Sequence, residues 1–227
     1  MDLKRTRIIT RFELRRLLSS APGVLFFVFF FFSFMWLGVQ LGKMKPALDE
    51  LSAMDSTTIN LGQIFVLQAV AWLIDSEPEQ LMAMFQHYPI ALVFIFAVLL
   101  FVMPGCMLVL GADQTGSDIS RRHMRFLTVR ADRTSLYVGK TMAVIIFWAL
   151  ALLFSVIAMV CVCIFAGLFE GLSASSWLMY SARIYVLGFL FGLPFITLGG
   201  AASALTGHAA LGSLVTFGLW IFVRVIS

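Results

Sequence analysis

Residues 116–140 read GSDISRRHMRFLTVRADRTSLYVGK and carry six basic residues, whereas the sixty residues after them carry one, Arg183. Long apolar runs border the stretch on both sides, 89–111 before it and 141–168 after it. A short cationic segment between two such runs is the pattern of a loop joining membrane spans, because a run of about 18 apolar residues covers the hydrocarbon core as a helix.

The rest of the chain agrees. Of 227 residues, 61% are hydrophobic and only 12% are charged, and the mean hydropathy is +0.98. A soluble domain of this length needs far more polar surface. Five runs qualify as spans: 22–41, 89–111, 141–168, 182–203 and 208–226. Each is long enough to cross ~30 Å of hydrocarbon at ~1.5 Å per residue, and the third is overlong and must tilt or extend past the bilayer. The expected fold is all-α: a polytopic membrane helix bundle forming a single transmembrane domain over 1–227.

The start, MDLKRTRIITRFELRR, has the basic character of a secretory signal. The apolar run that follows is longer than a signal's core and has no small-x-small closure, so it reads as an uncleaved first span. Orientation comes from the loops. Lys4, Arg5, Arg7, Arg11, Arg15 and Arg16 precede the first span, and Arg121, Arg122, Arg125, Arg130, Arg133 and Lys140 separate the second and third. By contrast, the loop 42–88 has Lys43 and Lys45 against six acids, Asp49, Glu50, Asp55, Asp75, Glu77 and Glu79. Positive charge stays inside. The N-terminus and 112–140 are therefore expected in the cytoplasm and 42–88 outside, in a cell (inner or plasma) membrane. Within 42–88, LGQIFVLQAVAWLI (61–74) is too short to span and reads as an external helix lying on the membrane or on the bundle.

Catalytic chemistry finds no foothold. No span has a carboxylate or Lys in its middle, Arg183 and Arg224 lie near span ends where snorkelling is cheap, and His87, His123 and His208 are far apart. No nucleophile–base pair or metal-ligand cluster emerges. Cys106, Cys161 and Cys163 all fall in apolar runs and read as buried free thiols. VGKT (138–141) is not a phosphate-binding loop, because the first glycine of G-x-x-x-x-G-K-[ST] would fall on Thr134 and the stretch leads into a span. The chain is read as no enzyme, with no bound cofactor or metal and no nucleic-acid partner. Small residues in the fourth span are informative: Gly188 and Gly192 share one face and allow close helix contact, followed by Pro194 and the pair Gly199–Gly200.

Within 116–140, Ile119, Met124, Phe126, Leu127 and Val129 interrupt the charges. Attraction to anionic lipid accounts for the charge but not for this apolar content. A short amphipathic helix that a neighbouring protein can grip accounts for both.

Two stretches, IITRFELRRLLSS near the N-terminus and RRHMRFLTVRADRTSLYVGK at 121–140, together resemble the permease subunit of ABC transporters of the ABC-2 type. That family carries an R-x-E-L-R-like element on an amphipathic helix before span one, and between spans two and three a segment with a hydrophobic doublet, an Arg and a closing Gly-Lys. Phe126–Leu127 match the doublet, Arg133 the Arg, and Gly139–Lys140 the closing pair. The family's Gly-Thr is replaced at Arg122–His123, and its Pro falls at Ala131 or Asp132. The resemblance implies that 112–140 is a cytoplasmic coupling segment whose helix docks on a separate ABC ATPase subunit. Phe126 and Leu127 would be the apolar contacts, Arg125, Arg130 and Arg133 the charged rim, and Gly139 and Lys140 the start of the span. ATP and Mg would sit on the partner. It also implies an interfacial N-terminal helix with Phe12, Leu14 and Arg15, a second permease as homodimer or similar subunit, and a sixth span in a complete version. An amphiphilic or lipid-like cargo, exported, suits the apolar spans; force transfer to an external partner at 42–88 is the family's other mode. The competing class is a non-transport membrane anchor or scaffold subunit.

Overall fold

The structure, a computed structural model, describes residues 3–43, 45, 90–120, 132–169 and 173–226. Among these the regular elements are α-helices: α1 (Leu3–Ser19), α2 (Ala21–Lys43), α3 (Ile90–Ser120), α4 (Arg133–Phe165), α5 (Ala174–Thr206) and α6 (Ala209–Ile226). Four contain stretches long and apolar enough to cross a membrane: Gly23–Lys43, Ile95–Asp113, Thr134–Phe165 and Ala174–Thr206. The chain is thus a multi-pass helical membrane protein by length and composition. The fifth expected span, 208–226, corresponds to α6, whose described apolar part is the shorter Ala209–Phe222. The expected external helix at 61–74 lies outside the described residues.

Helix ends differ from span ends. α3 continues to Ser120 and α4 begins at Arg133, so residues 112–120 and 133–140 of the expected coupling segment are helical extensions of the spans. The apolar pattern ends where hydrocarbon would end, whereas the i→i−4 ladder continues for as long as no breaker intervenes.

The breakers are legible where they occur. Ser20 caps α2: the Gly23 amide donates to its Oγ at 3.2 Å, and the Val24 amide donates to its carbonyl at 2.9 Å. Gly23 packs so near the Leu17 carbonyl that a Cβ there has no room. At the far end of α4, Gly167 takes φ 69°. The Leu168 amide returns to the Cys163 carbonyl and the Gly167 amide to that of Ile164, each at 3.0 Å, a Schellman close.

The chain divides into two compact units. One comprises Met1–Val28, Val102–Ala151 and Phe189–Ser227; the other comprises Phe29–Phe101 and Leu152–Gly188. In the first, Ala143, Phe147 and Trp148 of α4 are fully buried, and Phe26 and Phe27 of α2 set their rings 6.0 and 6.5 Å from that of Phe147. In the second, Leu152, Ser155, Met159 and Cys163 continue the same stripe, all fully buried. Side chains on the opposite side, such as Leu153, Phe154 and Ile157, are large, apolar and exposed, which suits a lipid surround and not water. Cys161, two residues from buried Cys163, lies on this exposed side. It corrects the expectation that all three thiols are buried, because successive odd positions of a helix face different ways.

Glycines bring the helices together. In the first unit a Cβ at Gly111 of α3 would strike the Ile196 backbone of α5, and one at Gly199 of α5 would strike the Leu108 backbone of α3. The two backbones touch at a reciprocal crossing. Gly105 and Gly116 do the same for α6, against the Phe217 ring and the Ala209 backbone. In the second unit Gly38 and Gly42 of α2 pack on Val162 and Ala166.

We expect Gly111→Ala to lower stability in detergent by about 1–3 kcal/mol through overpacking, measured as the midpoint of thermal unfolding. Gly218→Ala is the control, since nothing lies within 4 Å of a Cβ there; it leaves the midpoint unchanged or raises it by the helix propensity of Ala over Gly.

Candidate functional site

The two stretches that carry the family resemblance meet in space, within the first unit. One face of α1, built from Thr6, Ile9, Thr10 and Glu13 at helical spacing, packs on the second turn of α4 at Gly139 and Lys140. Gly139 is buried, and a Cβ on it would lie 2.8 Å from Ile9 Cγ2 and 3.2 Å from the Thr6 carbonyl. Only glycine lets α1 come this near. The Thr10 hydroxyl shares its proton between the Thr6 carbonyl at 2.9 Å and the Gly139 carbonyl at 3.1 Å, so one bond crosses between helices.

Lys140 is 4% exposed, and a buried ammonium is costly unless a carboxylate faces it. Glu13 does so, with Oε1 at 3.7 Å from Nζ. The other oxygen, Oε2, lies 3.3 Å from Arg16 Nη1 one turn along α1. Glu13 thus bridges its own helix and α4. With its side chain only 13% exposed, the pair is far less screened than a surface ion pair.

The remaining sequence-predicted residues distribute as follows. Phe12 and Arg15 are exposed, off the face of α1 that meets Gly139, and Leu14, one turn beyond Thr10, is half-buried at the edge of that face. Arg133 is the first residue of α4. Arg125, Phe126, Leu127 and Arg130 lie outside the described residues. Gly188, in the second unit, faces Leu99 of α3 and Leu152 of α4; Gly192, in the first, faces Met103 and Trp148 of the same two helices. Pro194 is exposed on another side of α5.

Glu13, Thr6 and Thr10 were absent from the sequence-based site. The signal for them was present: Glu13 is the sole acid among six basic residues between Leu3 and Ser19 and lies on one helical face with both threonines. Its partner was not legible, because contacts over this separation are set by packing. Among the described residues no cluster of three or more His, Cys, Asp or Glu is placed to hold a metal.

Compared with family models, curated proteins and solved structures, the chain matches none.

Replacing Glu13 by Gln leaves Lys140 buried without its carboxylate. We expect a loss of about 2 kcal/mol, below the 3–5 kcal/mol of a fully buried pair because Glu13 retains some solvent contact. The readout is tryptic cleavage at Arg7 and Arg11 in detergent, accelerated by roughly 30-fold in Glu13→Gln if α1 must detach to be cut. The double variant Glu13→Gln/Lys140→Gln recovers part of that loss.

Proposed function

We propose that the chain is the permease subunit of an ATP-driven transporter of the ABC-2 type. It moves an amphiphilic or lipid-like substrate, or transmits force across the membrane, when a separate cytosolic subunit hydrolyses MgATP. The observation that carries this reading is the Glu13–Lys140 contact: the R-x-E-L-R-like element and the closing Gly-Lys pair, more than a hundred residues apart, form one packed unit. Such a unit is what coupling requires. A segment gripped at 121–132 immediately precedes α4 in the chain, and α4 is clamped to α1 in its second turn.

In this reading 112–140 faces the cytoplasm and the helix within it docks in a groove of the ATPase. Phe126 and Leu127 supply the desolvated contacts, and Arg125, Arg130 and Arg133 form the rim. α1 lies in the cytoplasmic interface, its Phe12 turned to the acyl boundary and Arg11 and Arg15 to headgroups. Two such chains, or one with a similar subunit, enclose the route.

Affinity capture of the full chain in mild detergent tests the proposal. A P-loop ATPase co-purifies, and Phe126→Ser/Leu127→Ser weakens its binding by roughly tenfold or more, about 1.4 kcal/mol or above. Arg125→Gln changes it only by a few-fold, in a salt-dependent way. Retention of partners and activity by the double Ser variant supports the anchor or scaffold class instead.

A further inference from the structure

A cavity of about 200 Å³ opens between the first turns of α3 and the first half of α5, lined by Leu92, Val93, Phe96, Tyr180, Arg183, Ile184 and Leu187. All of it lies within the second unit. Its floor is apolar: Leu92, Val93 and Ile184 are almost fully buried. Among the described residues that line it, the one charged group is Arg183, exposed, with the guanidinium 5.8 Å from the centre of the Tyr180 ring. The volume exceeds the ~150 Å³ of cavities that take up benzene and falls short of the ~300 Å³ at which sites for whole drug-sized ligands begin. It suits a segment of an acyl chain.

The depth of the cavity follows from the helices. α3 and α5 run in the same direction, with Leu99 against Gly188 just beyond the cavity. The cavity therefore belongs to the membrane face at which both helices enter. There an Arg reaches headgroup level and a Tyr sits at the interface. An apolar slot with a cation at its rim complements a molecule with an apolar chain and an anionic head.

We propose that this cavity is a binding site for an anionic amphiphile: the chain seats against Leu92, Val93 and Ile184, and the headgroup charge meets Arg183. The site names a substrate class for the transport reading above and rests on that reading for its role alone, since binding here needs no ATPase partner.

The test uses the full chain in nanodiscs, with Cys106, Cys161 and Cys163 replaced by Ser and a bimane on Leu187→Cys. The probes are brominated phosphatidylglycerol and brominated phosphatidylcholine, each as a minor fraction of a phosphatidylcholine bilayer. The anionic lipid quenches at roughly fivefold lower fraction than the zwitterionic one, the size of effect one basic group near a membrane surface gives. Arg183→Gln removes the preference, Arg183→Lys keeps most of it, and Ile184→Phe, which narrows the slot without placing an indole quencher beside the bimane, reduces quenching by both lipids. Equal quenching by the two lipids in the parent protein means annular lipid only and overturns the proposal, as does a preference that survives Arg183→Gln. Absence of quenching by either lipid overturns it too, since the slot is then closed to lipid. A failed ATPase capture with lipid preference intact sinks the transport reading and leaves this site standing.

Discussion

The reciprocal contact of α3 with α5 is the constraint on which the packing of the first unit depends. Inside hydrocarbon the backbone bonds of each helix are already satisfied, and lipid tails are as apolar as leucine, so burying apolar surface supplies no drive for helix to meet helix. What remains is the dispersion gained when surfaces approach closely. Gly111 under Ile196 and Gly199 under Leu108 bring one backbone onto the other, and side chains then close around the crossing. Ile196 and Leu108, whose backbones meet the two glycines, are 1% exposed. α6 depends on the same device, because Gly105 and Gly116 of α3 and Gly212 against Ser203 of α5 give it its seat.

A different physics fixes α1. It has six cations and large exposed apolar side chains, and by itself it would be drawn to any anionic surface. Its attachment to α4 uses a narrow face of two threonines, an isoleucine and one glutamate against a glycine and a lysine. Every one of these groups is specific in a way that lipid-facing leucine is not. A buried ion pair adds little net stability but penalises any arrangement in which either charge is left alone. Register between α1 and α4 is therefore better defined than the modest contact area alone would make it.

The amount legible in the sequence follows from this division. Span positions were readable because about 20 apolar residues are a physical requirement of the bilayer, and four helices stand where runs of that kind occur. The glycine spacing at Gly188 and Gly192 was readable as a face for the same reason. The helix extensions to Ser120 and from Arg133 were not, since hydropathy marks the hydrocarbon boundary and is silent on where hydrogen bonding stops. Glu13 was quoted as part of a motif and yet its partner went unread. Pairing across more than a hundred residues depends on which helices cross, and one sequence does not encode that in any local pattern. From the sequence alone Arg183 reads as a cheap snorkelling cation near a span end. What the sequence lacked was the slot beside it, which exists only when α3 and α5 lie side by side.

The stiffness of the helices is unequal, and this bears on how a pull on residues 121–132 would travel. From Thr141 to Ala166, α4 has neither glycine nor proline, so its i→i−4 ladder is unbroken and it bends only gently. α3 and α5 each carry one proline inside the helix, Pro104 and Pro194. Proline has no amide to give to the carbonyl four residues back, so bending costs least there. A force entering at Arg133 would thus pass along α4 and, through Glu13 and Thr10, to α1 with little loss, while α3 and α5 yield. Gly188 and Gly192 line the side of α5 that meets α3 and α4, where small residues let one helix slide or tilt over another without a side chain to lift across. On the proposed transport reading, α4 with α1 would be the stiffer path and the proline-bearing helices the more compliant one.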